Sequence, residues 1–101
     1  MKRMTKVKFS STARADLKEI GRFSKREFGL SVAEKYLLGF DEAFDLLRSH
    51  PEAGPVREAY GAEMRCLMHR RHRILYKLDG RDVRVVAIIH HARDVKRDLL
   101  K

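Results

Sequence analysis

Residues 31–50 read SVAEKYLLGFDEAFDLLRSH, and their apolar members Ala33, Tyr36, Leu37, Phe40, Ala43, Phe44 and Leu47 recur at i, i+3, i+4 and i+7. This is the strongest periodic signal in the chain. It predicts an amphipathic helix with one buried stripe. Ser31 and Glu34 form a Ser-x-x-Glu capping box at its start, worth about 1 kcal/mol. His50-Pro51 ends it, because a residue before proline is pushed out of the α region. Just upstream, Ala13, Leu17, Ile20, Ser24 and Phe28 share a stripe of an earlier helix, with Phe23 beside it. Ser11 or Thr12 is its expected cap and Gly29 its left-handed stop. A link that short forces the two helices into an antiparallel hairpin.

On either side of the hairpin the period drops to two. Val7 and Phe9 alternate with Lys6, Lys8 and Ser10 as a short strand. Residues 51–62, with Pro51, Gly54, Pro55 and Gly61, read as a loop. Glu63 to Met68 is then a strand, with Met64, Cys66 and Met68 on one face. After a turn near His69-Arg70 comes Arg71 to Leu78, where His72, Ile74, Tyr76 and Leu78 share a face. Asp79-Gly80 is a strong hairpin signal, and Val83 to His90 completes a meander. In this last strand Val83, Val85, Ala87 and Ile89 alternate with Val86 and Ile88, so both faces are apolar. Such a strand is either central and covered on both faces or offers an apolar strip to a partner. Asp94 can cap a short terminal helix through Leu99 and Leu100. The expected fold is α+β: β-α-α-β-β-β, the helical hairpin packed on a small, mainly antiparallel sheet, with a short C-terminal helix.

At 101 residues, one domain spanning residues 1–101 is expected. The longest apolar run, Val85 to Ile89, is far short of the ~20 residues a membrane span needs. Met1 to Phe9 lacks the apolar stretch of a secretory signal. A single cysteine, Cys66, fits a reducing cytoplasm. The net charge is +9, and residues 61–101, with 11 basic and 5 acidic side chains, supply +6 of it. A partner of opposite sign is expected: nucleic acid, an acidic protein or a phosphate-rich surface.

His69, His72, His90 and His91 all come from the meander, but no closed ligand set of usual spacing accompanies them, so neither metal nor cofactor is expected. Glycine-rich phosphate loops are absent, and Gly54 and Gly61 read as simple loop residues. Cys66 alternates with methionines, so buried packing is its expected role. In-line RNA cleavage needs a base, cations for the developing phosphorane charge and an acid. Arg65, Arg73, His90 and Arg93 sit on neighbouring strands or just beyond one and would supply such a site, with Glu63 or His90 as the base, if they converge. Otherwise the arginines line the outward face of a half-exposed sheet. In the run Ile88-Ile89-His90-His91-Ala92-Arg93-Asp94, His90 and Arg93 either bind an anion at one rim, or Arg93 and Asp94 fasten the last helix.

The text Ala13-Arg14-Ala15-Asp16-Leu17-Lys18-Glu19-Ile20 resembles the opening of ParE-type toxins of the RelE/ParE superfamily. So do Phe28-Gly29 with Ala33, Tyr36 and Phe40, then His50-Pro51 and Gly54, Met64-Arg65, His72 to Tyr76, Val85 to His90 and Ala92-Arg93-Asp94. The resemblance spans roughly residues 7–100. It implies a toxin of a bacterial type II toxin–antitoxin pair with a β-α-α-β-β-β layout. It further implies a cognate ParD-like antitoxin that carries the operator-DNA binding, and DNA gyrase as the target. RelE-like relatives instead cut mRNA on the ribosome. Here loop 51–62 holds one basic residue, Arg57, where those nucleases carry a lysine-rich stretch, and no tyrosine follows Arg93. Both departures argue against a ribonuclease, so no catalytic set is favoured. Arg73, His90, Arg93 and Arg97 are the expected target-binding residues, and Val86, Ile88 and Leu75 the expected antitoxin-binding ones.

Overall fold

The computed structural model describes residues 5–93. Strand β1 (Val7–Phe9) is followed by helices α1 (Ser11–Phe28) and α2 (Leu30–Ser49). After a single 3-10 turn at Glu58–Tyr60 come strands β2 (Arg65–His69), β3 (His72–Asp79) and β4 (Asp82–His90). The sheet order is β1-β4-β3-β2; β1 runs parallel to β4, and the other pairs are antiparallel. This is the expected β-α-α-β-β-β layout with the hairpin packed on the sheet. The terminal helix capped by Asp94, and Arg97, lie outside the described residues.

The helices form for the reasons their periodicity implies, but their caps differ from expectation. Ser10, not Ser11 or Thr12, caps α1: its Oγ accepts from the Ala13 N–H at 3.0 Å. The same hydroxyl donates to the Val86 carbonyl at 2.7 Å, which joins the helix start to β4. Gly29, at φ 87°, serves both helices. Its N–H closes α1 on the Lys25 carbonyl (2.9 Å), and its own carbonyl accepts from Ala33 (3.1 Å). Because α2 starts at Leu30, Ser31 already lies inside it and α2 has no side-chain cap; the Ser31–Glu34 box does not form. β2 likewise begins at Arg65, since Glu63 takes φ 58°, outside strand geometry. The β3–β4 turn comprises Gly80 and Arg81, with Asp79 opposite Asp82.

One irregularity decides which way the last strand faces. Leu75 lies opposite Ala87, yet Tyr76 lies opposite Val85, so Val86 is an extra residue. Inserting one residue reverses the facing of everything after it. Val83, Val85 and Ile88 therefore pack beneath the hairpin with Ala13, Phe40, Phe44, Leu47, Ile74 and Tyr76. Ala87 and Ile89 turn to the far face, into a second cluster with Met64, Cys66 and Leu75 that Tyr60 and Val86 border. This corrects the expected grouping of Val83, Val85, Ala87 and Ile89. Of the three residues expected to meet the antitoxin, Leu75 and Ile88 are 0% and 4% exposed in the chain alone, and Val86 keeps partial exposure.

The loop after α2 is tied down rather than loose. The Tyr76 hydroxyl donates to the Pro51 carbonyl and accepts from the Gly54 N–H, both at 2.8 Å. Gly54 is more than a simple loop residue: a Cβ there would sit 2.7 Å from the Cys66 carbonyl oxygen. Pairing continues beyond it, as Cys66 N donates to Pro55 O and Arg57 N to Met64 O.

Candidate functional site

The site follows from where β1 stops. β1 covers β4 only from Val83 to Val85, and the Ser10 N–H reaches the Val85 carbonyl at 3.0 Å before α1 departs. β4 runs on to His90 with no strand on that side among the described residues. Asp16, one and a half turns into α1, takes the next amide: its Oδ2 accepts from the Ile88 N–H at 2.9 Å. Burial raises the Asp16 pKa, opposed by that amide and by Arg93.

Beyond Asp16 the hairpin overhangs the sheet. Phe28, placed by its spacing on the buried stripe of α1, is 62% exposed, and Phe23 beside it is 49% exposed. The stripe runs past the edge of the core, and the result is a groove of about 760 Å³. Ile20, Phe23, Phe28 and Val32 form its apolar wall, Ile88 its floor, and Asp16, Glu19, Arg71, His90 and Arg93 its polar margin.

At its inner end Tyr36 and His72 meet, hydroxyl to Nδ1, at 2.6 Å. Burial, with the nearby His90, His69 and His91, pulls the His72 pKa down to about 4. Its imidazole is therefore neutral at pH 7 and shares a single hydrogen bond with the Tyr36 hydroxyl through Nδ1. Burial pushes the Tyr36 hydroxyl up against the pull of Arg70 and Arg71. His69 packs on Phe40 and Tyr36, its pKa lowered by burial and Arg70, and its buried Nε2 has no hydrogen-bond partner.

The residues read from sequence divide into separate groups. Arg65 is held by the loop, donating to the Gly54 carbonyl at 2.8 Å and the Glu52 carbonyl at 3.3 Å. It lies opposite Tyr76, four residues from His72 along β3, roughly 13 Å away at 3.3 Å per residue. His72 and His90 face each other across β3 and β4, with ring centroids 5.3 Å apart. Arg73 belongs to the far face, in register with Ile89, and donates to the Arg93 carbonyl at 3.4 Å. Arg65, Arg73, His90 and Arg93 therefore do not surround one point. Cys66 is buried and burial pushes its thiol up, as a packing role requires. Among the described residues no three His, Cys, Asp or Glu side chains are placed to hold a metal ion, and no helix is long and apolar enough to cross a membrane.

Sequence reasoning missed Tyr36, Phe23, Phe28 and Asp16 as groove residues, reading the aromatics as core. The detectable signal was Asp16 beside Leu17 and Ile20: a carboxylate close to an apolar stripe needs a partner.

Comparison with known proteins agrees with this architecture. Toxin ParE1 of Mycobacterium tuberculosis is 30% identical over 91 residues, covering 89% of this chain and 93% of that protein. Toxin ParE1 of Caulobacter vibrioides is 24% identical over 96 residues, covering 95% and 99%. A chain of the chromosomal ParDE system from P. aeruginosa shares the fold with a TM-score of 0.74 at 21% identity, over 86% of this chain and 96% of that one. A chain of the RelBE2 toxin–antitoxin complex from M. tuberculosis does so at 0.63 and 24%, over 87% and 99%. The family described as ParE toxin of type II toxin-antitoxin system, parDE, matches residues 7–95. By that match and the M. tuberculosis relative, this chain belongs to the ParE toxin family.

Proposed function

We propose that this toxin arrests growth by binding DNA gyrase, performing no chemistry of its own, and that a cognate ParD-like antitoxin neutralises it by docking in the groove between hairpin and sheet. The antitoxin part is supported by the groove itself, an apolar surface with a polar margin of mixed charge on a chain of net charge +9. Similarity to chains of the ParDE and RelBE2 systems supports it as well. The binding mode of action is supported chiefly by Arg65. One guanidinium nitrogen, Nη1, is anchored to two loop carbonyls, which holds Arg65 away from the other candidate cations, whereas phosphorane-stabilising cations must converge on one phosphate. Arg73, His90, Arg93 and Arg97 remain the proposed contacts to the target.

Expression without antitoxin tests this. Gyrase poisoning produces filamentous cells with induced DNA-damage responses, and purified toxin traps gyrase on cleaved DNA. Normal supercoiling with rapid loss of translation, and new 5′ ends in ribosome-bound message, would instead establish the RelE-like mRNA endonuclease.

A further inference from the structure

Away from the groove, the far face of the sheet carries a line of cations in register. Lys8 of β1 lies opposite Arg84 of β4, and Arg84 lies opposite Lys77 of β3. Their chain neighbours Phe9, Val83, Val85 and Tyr76 pack in the core beneath the hairpin, so by alternation these three side chains stand on the other face. Carrying the β2–β3 register one residue beyond Arg65 puts Met64 beside Lys77. The Val56–Arg65 bridge, with Arg57 N–H donating to the Met64 carbonyl at 2.7 Å, puts Arg57 next in line. Its guanidinium stands over Tyr60, 5.7 Å from the ring centre, and Tyr60 borders the far-face cluster. At about 4.8 Å between neighbouring strands, the line from Lys8 to Arg57 is about 19 Å long. All four cations are exposed. Lys8 pairs with Asp82 at 3.2 Å, whereas Arg84, Lys77 and Arg57 have no carboxylate partner among the described residues.

Like charges directly opposite one another destabilise a sheet, and Arg84 has a cation on each side. Lysine on an edge strand guards against stray pairing, but Arg84 and Lys77 sit on the two inner strands, where that purpose does not apply. We infer that this toxin binds the phosphate backbone of duplex DNA directly, through Arg84, Lys77 and Arg57, with Lys8 at the end of the line. A polyanion removes the repulsion between neighbouring cations along the whole line, which a single small anion cannot do. A protein partner is disfavoured because Leu75, Ala87 and Met64, the apolar residues beside the line, are buried and offer no anchor. A single strand is disfavoured because its bases need open aromatic faces, and Arg57 covers Tyr60. Duplex DNA presents one negative charge per about 1.7 Å of axis, and contacts to its phosphates carry no sequence information. The surface is separate from the groove, so the inference holds whichever molecule the toxin attacks.

The test uses the full-length toxin and fluorescently labelled duplexes of unrelated sequence, with binding read by anisotropy across a salt series. Three phosphate contacts predict a slope of log K against log salt of about −2.7, or an affinity loss of about 40-fold between 50 and 200 mM salt, alike for every sequence. Arg84→Gln, Lys77→Gln and Arg57→Gln should each bring the slope about 0.9 closer to zero, and together they should leave almost no salt-dependent binding. A charge-matched control combines Arg14→Gln, Lys18→Gln and Lys25→Gln, all exposed on α1, and should keep the parent slope. Equal losses from the two triple variants would mean that net charge alone is read, and would overturn the assignment. So would tighter binding to single-stranded DNA or duplex RNA, or no binding at 50 mM salt with toxin at about 100 μM. Should the triple variant not fold, amide shifts of the unaltered toxin on adding duplex decide: shifts centred on Arg84, Lys77 and Arg57 support the line, and shifts confined to the groove overturn it. Neither result bears on gyrase poisoning, which the growth and cleavage assays read separately.

Discussion

Tyr76→Phe isolates the clasp on the loop after α2. The phenol ring is fully buried, so deleting only the hydroxyl leaves no cavity larger than one oxygen. What it removes is the acceptor for Gly54 N–H and the donor to Pro51 C=O, each at 2.8 Å. A buried polar group left unsatisfied costs about 1–3 kcal/mol. The Pro51 end lies nearer the surface, where water can replace the lost bond, so the expected loss is about 2 kcal/mol. Against a total stability of roughly 5–15 kcal/mol this is a large fraction. At about 4–8 °C per kcal/mol for a domain near this size, Tm falls by roughly 8–16 °C. Urea titration followed by circular dichroism is the assay, with the m-value unchanged because the same surface is exposed on unfolding. Arg65 holds the same loop from the other side, so Tyr76→Phe and Arg65→Met should couple by at least about 0.5 kcal/mol in a double-mutant cycle. A loss below about 0.5 kcal/mol for Tyr76→Phe, with no coupling, would refute the clasp.

Ser10→Ala removes a helix cap and a tie to Val86 together and should cost about 1–2 kcal/mol in denaturant unfolding. Gly54→Ala places a methyl 2.7 Å from Cys66 O; it should destabilise by about 1–3 kcal/mol and speed amide exchange at Cys66 and Arg57, measured by NMR. His72 is depressed to about 4 from an ordinary 6.5, so between these values the unfolded chain binds the extra proton, and stability falls as pH drops from about 6.5 toward 4. Discounted for its partial exposure the effect is of order 1–2 kcal/mol; His72→Gln should flatten that slope relative to the parent, and parallel pH–stability curves would contradict the burial argument. Phe23→Ser with Phe28→Ser should change stability by less than about 1 kcal/mol, since both rings are half or more exposed, yet weaken antitoxin binding at least tenfold by calorimetry.

Element type and order were legible because hairpin and strands keep their periods undisturbed over many residues. The caps were less legible, because Ser10, Ser11 and Thr12 offer the same chemistry, and only the reach of one hydroxyl to Val86 separates them. The bulge at Val86 was invisible: every residue from Val85 to Ile89 is apolar, so alternation carries no sign there and a one-residue insertion leaves no trace in composition. The groove was misread for a related reason. Phe28 continues the stripe of Ile20 and Ser24 on the helix, but periodicity reports direction around an axis and not how far the sheet extends beneath it. Arg65 and Arg73 looked alike as strand arginines, while pairing puts them on opposite faces of the sheet.

The parallel contact of β1 with β4 also orders events in time. Ser10 and Val86, which bond to each other, are 76 residues apart in the chain. During synthesis the helical hairpin emerges early, but β1 has nothing to pair with until the last-made strand arrives. That strand lies between β1 and β3, so one of the two inner strands arrives after the other three described strands. Until then neither the floor of the groove at Ile88 nor its margin at His90 and Arg93 exists as a surface. On the proposed function, a nascent chain that still lacks β4 offers neither the target nor the antitoxin the surface each would bind.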